Sequence, residues 1–272
     1  MRRAPATAKL NLALVVGPPR PDGLHDLATV LQRLDLSDRI AVEPAPRLRV
    51  EGFPDDTLVR SALERLADAA GVDPAWEARI WKRIPVAAGL GGGSSDAATA
   101  LRLANETLAE PLGADELGAV ARGLGADVPF FLSSGPQLGG DTGAELTPLE
   151  LPQDYWVVLV LPDDRRKTST AAVYSAFDER DGGDGYSRRR AELERALANV
   201  RRSRDLAALP PNDLISSPLA DELLDLGAFR ADVTGAGPVV YGLFHQRNAA
   251  AAAERRLRSR GRTWLTVPTW YG

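Results

Sequence analysis

Apolar and polar positions alternate from near the start of the chain. Leu10, Leu12, Leu14 and Val16 interleave with Lys9, Asn11, Ala13 and Val15, the two-residue period of a half-buried strand. Turn formers, GPPRPDG at 17–23, close that run. Strand-like runs follow at 27–36, 39–43 and 48–51. The period then changes. Leu58, Val59, Ala62, Leu63, Leu66 and Ala67 fall on one helical face, in a helix expected to start at Asp56 and to stop at Gly71. A strand at 77–84 leads into a glycine-rich loop, helices are expected at 95–108 and 115–123, and further strands extend to Leu149.

A break is expected at Leu151 and Pro152. Beyond it, YWVVLVLP reads as a buried strand, TSTAAVYSAF as the start of a helix and DERDGGDG as a flexible surface loop. SRRRAELERALANVRRSR reads as a basic helix with a solvated face. The remainder alternates: helix 218–226, strands 229–233 and 239–244, helix 249–260 and a last strand at 264–267. Strands interleaved with single helices predict an α+β fold of two domains, 1–151 and 152–272.

Composition narrows the chemistry. The chain has 272 residues, 44% hydrophobic and 26% charged, an ordinary globular balance. There is no cysteine, so disulfides and thiolate metal sites are excluded, and His25 with His245 are too few for a histidine-built metal site. A net charge of −4 argues against a general nucleic-acid binder. The basic runs at 188–190 and 255–262 lack interleaved aromatics and read as solvated helix surface. The apolar stretch 10–16 is short and broken by Asn11, so neither a leader nor a membrane span is expected and the chain is read as cytoplasmic.

The loop is IPVAAGLGGGSSDAATAL, residues 84–101. Glycine is costly to order and packs nothing, yet Gly89, Gly91, Gly92 and Gly93 stand directly before an alanine-rich helix. Such an arrangement lets an anion approach bare N–H groups at a helix N-terminus. A plain turn needs only one or two glycines. The loop lacks the P-loop lysine, and Ser94 stands where a dinucleotide fingerprint has its last glycine.

PVAAGLGGGSSDAA resembles the ATP-binding motif of the superfamily of galactokinases, homoserine kinases, mevalonate kinases and phosphomevalonate kinases. Within it, the triple glycine followed by Ser-Ser-Asp-Ala-Ala is similar to the 4-diphosphocytidyl-2-C-methyl-D-erythritol kinase branch. PATAKLNLAL, RPDGLHDLATVLQRLDLSD, GADVPFFLSSG, NDL at 212–214 and TGAGPVVYGLF agree with that branch in order. The resemblance implies an N-terminal domain with a left-handed βαβ unit and a ferredoxin-like C-terminal domain, with the active site between them. It implies ATP, accompanied by Mg²⁺, as phosphoryl donor to the 2-hydroxyl of a cytidine-diphosphate-linked polyol. That step belongs to non-mevalonate isoprenoid synthesis. ATP would lie on Pro85, Val86, Ala87, Ala88, Gly89, Leu90, Gly91, Gly92, Gly93, Ser94 and Ser95. The protein ligands of Mg²⁺ stay open, Ser94 or Ser95 being candidates. The enzyme is expected to act on a small molecule, away from nucleic acid and membrane, as a monomer or weak homodimer.

By the same resemblance, Asp127 is the catalytic aspartate and Lys9 its catalytic lysine. Read from the residues alone, Asp127 serves equally as a helix N-cap before Pro129, and Lys9 as a solvent-facing strand residue. A cation beside the carboxylate favours orienting the substrate hydroxyl over abstracting its proton. Asn11, on the face of Lys9, matches a substrate contact. His25 matches the residue that reads the cytosine edge, and Thr170 and Tyr174 match a second binding wall. The family tyrosine beside that histidine is Leu24 here, which covers a ring without offering a π-face. Another kinase of the superfamily, or a non-catalytic binder on the same scaffold, are the rival readings.

Overall fold

A computed structural model describes residues 1–53, 58–143, 145–163 and 169–269. It opens with a long antiparallel hairpin, β1 (Arg2–Pro19) and β2 (His25–Pro44). Both strands exceed expectation, and the runs 27–36 and 39–43 fuse into β2. Three register shifts in the pairing, one at Thr7/Ala8 opposite Ser37, absorb the change of face without breaking the ladder. The expected helix start at Asp56 lies outside the described residues; α1 is described over Leu58–Ala70. β3 (Arg49–Glu51) and β4 (Trp76–Trp81) flank α1 and pair in parallel, which makes a βαβ unit. With β5 (Gln137–Gly140) and β6 (Glu145–Pro148) the first sheet has six strands, in the order β3-β4-β2-β5-β6 with β1 on β2. α1, α2 (Gly92–Asn105) and α3 (Ala114–Arg122) cover it through Leu63, Leu66, Leu101 and Ala121.

The second sheet runs β10-β7-β9-β8 and is antiparallel throughout. Its strands are β7 (Trp156–Pro162), β8 (Arg230–Val233), β9 (Val240–Phe244) and β10 (Gly261–Thr266). Helices α4 (Thr170–Asp178), α5 (Tyr186–Ala198) and α6 (Pro218–Asp225) lie between β7 and β8, and α7 (Arg247–Leu257) between β9 and β10. This is the ferredoxin-like arrangement, and the whole is α+β.

β1 is the seam between the halves. Leu10, Leu12, Ala13 and Val15 share a core with Val157, Leu159, Tyr241 and Leu243 of the second sheet. The strand is therefore buried on both faces rather than half-buried. The register shift between Asn11 and Ala13 also swaps parity. Ahead of it Leu10 and Leu12 enter the shared core; after it Ala13 and Val15 do, while Leu14 and Val16 join Val173, Phe177 and Leu214. Lys9, Asn11 and Leu14 thus come to line one cleft despite their mixed parity.

Two charge clusters, one around buried carboxylates and one half-buried, join partners distant in sequence and set the site's supports. Lys82, just past β4, lies 2.5 Å from Asp38 and 2.6 Å from Asp96 of α2, and Asp38 also accepts the N–H groups of Arg83 and Ile84. That cluster turns the chain away from the sheet at residue 82, short of the strand end expected at 84, and anchors the first turns of α2. The second is Arg189. It is no solvated helix residue: it donates to the carbonyls of Val16 and Gly182 and to Asp213, which in turn accepts the N–H of Val16. Arg180 donates to the carbonyl of Leu214. DERDGGDG, 178–185, is accordingly a fastened turn and not a flexible loop. A Cβ on Gly182 would come within 2.4 Å of the Phe177 ring and one on Gly183 within 2.6 Å of Pro18, so these glycines serve close packing.

Lys82→Met should destabilise the protein by ~3–5 kcal/mol, because it leaves the Asp38 and Asp96 carboxylates buried without their cation. Urea unfolding measures this; a loss under ~1 kcal/mol would contradict the anchoring role.

Candidate active site

The glycine-rich loop is held from both sides. Lys9 N–H donates to the carbonyl of Leu90, Val239 N–H to that of Ala88 and the Thr234 hydroxyl to that of Gly89. Ala88 and Leu90 are buried in the shared core. Ala87, Gly89 and Gly91 take left-handed backbone angles, φ 53°, 80° and 68°. At Gly91 space adds to conformation, since a Cβ would stand 3.0 Å from Lys9 Cγ and from the Phe131 ring.

The helix begins earlier than its alanines suggest. α2 starts at Gly92, with Gly91 as its N-cap, and no side chain caps it. Gly92, Gly93 and Ser94 form the first turn, whose N–H groups have no intrahelical acceptor. Gly92 packs against Ile84, but a Cβ on Gly93 would meet nothing within 4 Å, and its φ is not left-handed. Neither packing nor backbone angle requires that glycine, and it leaves open space in front of the helix. An uncapped helix start in front of open space favours an anion, through both its free donors and the helix dipole.

This start opens on a cleft of about 590 Å³ between the halves, lined among others by Lys9, Asn11, Gly89, Gly91, Ser94, Asp127, Thr170 and Tyr174. The cleft therefore gathers residues from β1, the loop, the segment after α3 and α4. Of the remaining expected residues, Ala87 also lines the cleft, Ala88 and Leu90 are core anchors, and Pro85, Val86, Gly92 and Gly93 are not among the lining residues, Val86 being exposed. Ser95 is buried and faces a separate recess with Thr7, Thr99 and Phe131. His25 is not among the cleft's lining residues but adjoins one of them, Tyr174. Its ring packs 4.8 Å from Tyr174, and its Nε2 lies 2.8 Å from Asp178.

Asp127 is not a helix cap. The 3-10 turn after it, Pro129–Leu132, is preceded by Val128 and has no side-chain cap. The Asp127 carboxylate instead reaches 3.7 Å from Lys9 Nζ, with its side chain 43% exposed and that of Lys9 only 5%. Lys9, solvent-facing on the strand pattern alone but matched by resemblance to the catalytic lysine, is thus buried with its ammonium at the cleft. Nζ donates to Asn11 Oδ1 at 2.6 Å, Asn11 Nδ2 donates to the Thr29 hydroxyl, and that hydroxyl donates to the carbonyl of Ala13. The Thr234 hydroxyl accepts from the backbone N–H of Asn11, and its single hydrogen is shared between Asn11 Oδ1 and the carbonyl of Gly89, each 3.3 Å away. Asn11 is consumed mainly in holding Lys9, which leaves one amide hydrogen for a ligand.

Several supports of the site lie inside stretches quoted from the sequence without being singled out there as site residues. Arg33 donates to the carbonyls of Phe130 and Ser133 and lies over the Phe130 ring, so it fixes the turn that carries Asp127. Burial, with the neighbouring charge of Arg102, pulls its guanidinium down to about 10. Asn212, in the NDL stretch, donates to the carbonyls of Val233 and Gly235 and so shapes the chain opposite Lys9. Arg33 lies in the quoted RPDGLHDLATVLQRLDLSD stretch and Asn212 in NDL, but a motif match does not say which carbonyls each will meet.

Burial first, and the Asp127 carboxylate second, push the Tyr174 phenol up to about 12 from 10.0. Below pH 10 folded and unfolded chains both keep this proton. Between the two values only the folded chain does, so its stabilising contribution is complete below pH 10 and is lost as pH rises through about 12. Tyr174→Phe should flatten that part of the alkaline stability profile measured by denaturant unfolding; identical profiles would contradict the burial of the phenol.

Comparison with known proteins agrees with this geometry. The family described as GHMP kinases N terminal domain matches residues 57–135, and GHMP kinases C terminal matches 189–263. The chain is similar to a protein of Anaeromyxobacter sp. (strain Fw109-5) named 4-diphosphocytidyl-2-C-methyl-D-erythritol kinase. The identity is 42% over 269 residues, covering 93% of this chain and 85% of that one. A protein of the same name from Geobacter sulfurreducens is 36% identical, covering 96% of each chain. A crystal structure of 4-(cytidine 5'-diphospho)-2C-methyl-D-erythritol kinase superposes with a TM-score of 0.80, at 31% identity, and covers 100% of both chains. A mevalonate kinase structure, 14% identical with a TM-score of 0.76, shares the fold.

Proposed function

We propose roles for the cleft residues from one premise: this chain belongs to the 4-diphosphocytidyl-2-C-methyl-D-erythritol kinase family and is an ATP-dependent kinase. The acceptor is 4-diphosphocytidyl-2-C-methyl-D-erythritol, and its 2-hydroxyl receives the γ-phosphoryl group of ATP. The observation that carries this reading is the Lys9–Asp127 pair, 3.7 Å apart, in the same cleft as the uncapped start of α2. A pure binder has no use for a carboxylate beside a polyphosphate.

Phosphoryl transfer through a loose transition state depends on positioning and on neutralising charge. The N–H groups of Gly92, Gly93 and Ser94 hold phosphate oxygens, and Gly93 lets them approach. Asp127 accepts a hydrogen bond from the attacking hydroxyl and so aims its oxygen at phosphorus. Lys9 has three donors. Asn11 takes one and Asp127 stands near a second, which leaves the third for the transferring phosphoryl group. Because Asn11 is itself bonded to Thr29 and Thr234, the ammonium is aimed before substrate arrives.

Mg²⁺ fits as a companion of the nucleotide. Among the described residues no group of three or more His, Cys, Asp or Glu could hold a metal, and Mg²⁺ commonly takes substrate phosphates with one or two carboxylates. Ser94 and Asp127 are oxygen donors at the cleft that would meet it, and Ser95 faces away. When bound, the ion supplies charge neutralisation at the phosphates. The cytosine end lies at His25, Tyr174 and the exposed Leu24. The same reading makes the enzyme cytoplasmic and a monomer or weak homodimer, with two modest domains divided at residue 151.

Asp127→Asn should keep ATP affinity, read by calorimetry, while turnover falls by at least ~10². Normal turnover would refute the role. In a panel of acceptors followed by ADP release, the cytidyl compound should be phosphorylated. Turnover of mevalonate or homoserine with the cytidyl compound inert would contradict the substrate.

A further inference from the structure

Thr170, Tyr174 and Asp178 stand four residues apart on α4 and share one face of it. The first two line the cleft. Asp178, at the last residue of the helix, instead crosses to the first residue of β2, its Oδ1 2.8 Å from His25 Nε2. A carboxylate at a helix C-terminus is disfavoured by the helix dipole, so the helix itself does not explain this aspartate.

We infer that Asp178 is a positioning residue that fixes His25 as its Nε2–H tautomer, leaving Nδ1 a bare acceptor that selects cytosine over uracil. An ionised carboxylate only accepts, so the proton between the two groups belongs to Nε2. A neutral imidazole then has no hydrogen on Nδ1. The ring is wedged between the Tyr174 ring, 4.8 Å away and tilted by 42°, and the Phe177 ring, 6.1 Å away and near-perpendicular at 77°. No described residue hydrogen-bonds Nδ1. His25 is 7% exposed, so water gives little relief to a mismatched partner there. Cytosine carries an exocyclic amine, a donor, where uracil carries a carbonyl oxygen, an acceptor. A bare Nδ1 accepts from the first and repels the second. The inference rests on the cytidine reading above.

Two readouts test it. The chain has only two histidines, so in a His245→Gln background long-range ¹⁵N–¹H correlation spectra report His25 alone. The Nε2–H pattern is expected. It should persist in Asp178→Asn, whose amide oxygen still accepts, and give way to mixed tautomers in Asp178→Ala. Kinetically, Asp178→Ala should lower the preference for the cytidyl substrate over its uridyl counterpart about tenfold, through KM and not kcat. Asp178→Asn should retain that preference. An Nδ1–H or doubly protonated ring in the unaltered enzyme, or an Asp178→Ala variant with unchanged tautomer and discrimination, overturns the proposal. Failure of the cytidine reading looks different: the unaltered enzyme would turn over neither nucleotide compound while keeping the Nε2–H pattern, and that ends the specificity claim too.

Discussion

One buried ammonium organises this molecule. Lys9 sits on a strand with both faces covered, and such a charge is tolerated only with partners around it. Asn11 supplies a fixed oxygen at 2.6 Å and Asp127 a partly exposed carboxylate at 3.7 Å. Neither arrangement survives without the rest of the fold. The register shift past Asn11 puts Lys9 and Leu14 on one side, Thr29 and Thr234 lock the amide, and Arg33 fixes the turn behind Asp127. A cation held this way does not need to reorganise when a polyphosphate arrives, and preorganised charge is where catalytic electrostatics gains most.

The opposite wall of the cleft works by omission. At α2, Gly91 in place of a capping side chain leaves the first turn's donors free. Gly93 leaves space, and Gly91 lets Phe131 and Lys9 close up beneath. The cost of that backbone freedom is offset by fastening: Leu90, Ala88 and Gly89 all give their carbonyls to neighbours, and Lys82 with Asp38 and Asp96 pins the turn before the helix. On the proposed reading, such local means let a chain of net charge −4 hold a polyanion.

The sequence carried the parts of this that are local. The period of β1, the helical face of α1, the glycine run and the quoted motifs marked the elements and most of the cleft. What stayed hidden depends on partners far away in the chain. Lys9 reads as solvent-facing until Val157 and Tyr241, from the other half, cover its strand. Arg189 looks like one of many surface arginines until Val16 and Asp213 meet it, and the glycines of 178–185 look flexible until Phe177 and Pro18 pack on them. Helix α2 begins three residues before the expected one because an open N-terminal turn tolerates glycine that a helix interior does not. Pairing over such separations leaves no periodic trace.

The most direct measurement is a crystal structure of the enzyme with a non-hydrolysable ATP analogue and the cytidyl polyol. Triphosphate oxygens should lie about 2.7–3.2 Å from the amides of Gly92 to Ser94, with the 2-hydroxyl between phosphorus and the Asp127 carboxylate. A triphosphate bound away from that turn, or an acceptor hydroxyl out of reach of Asp127, would contradict this arrangement.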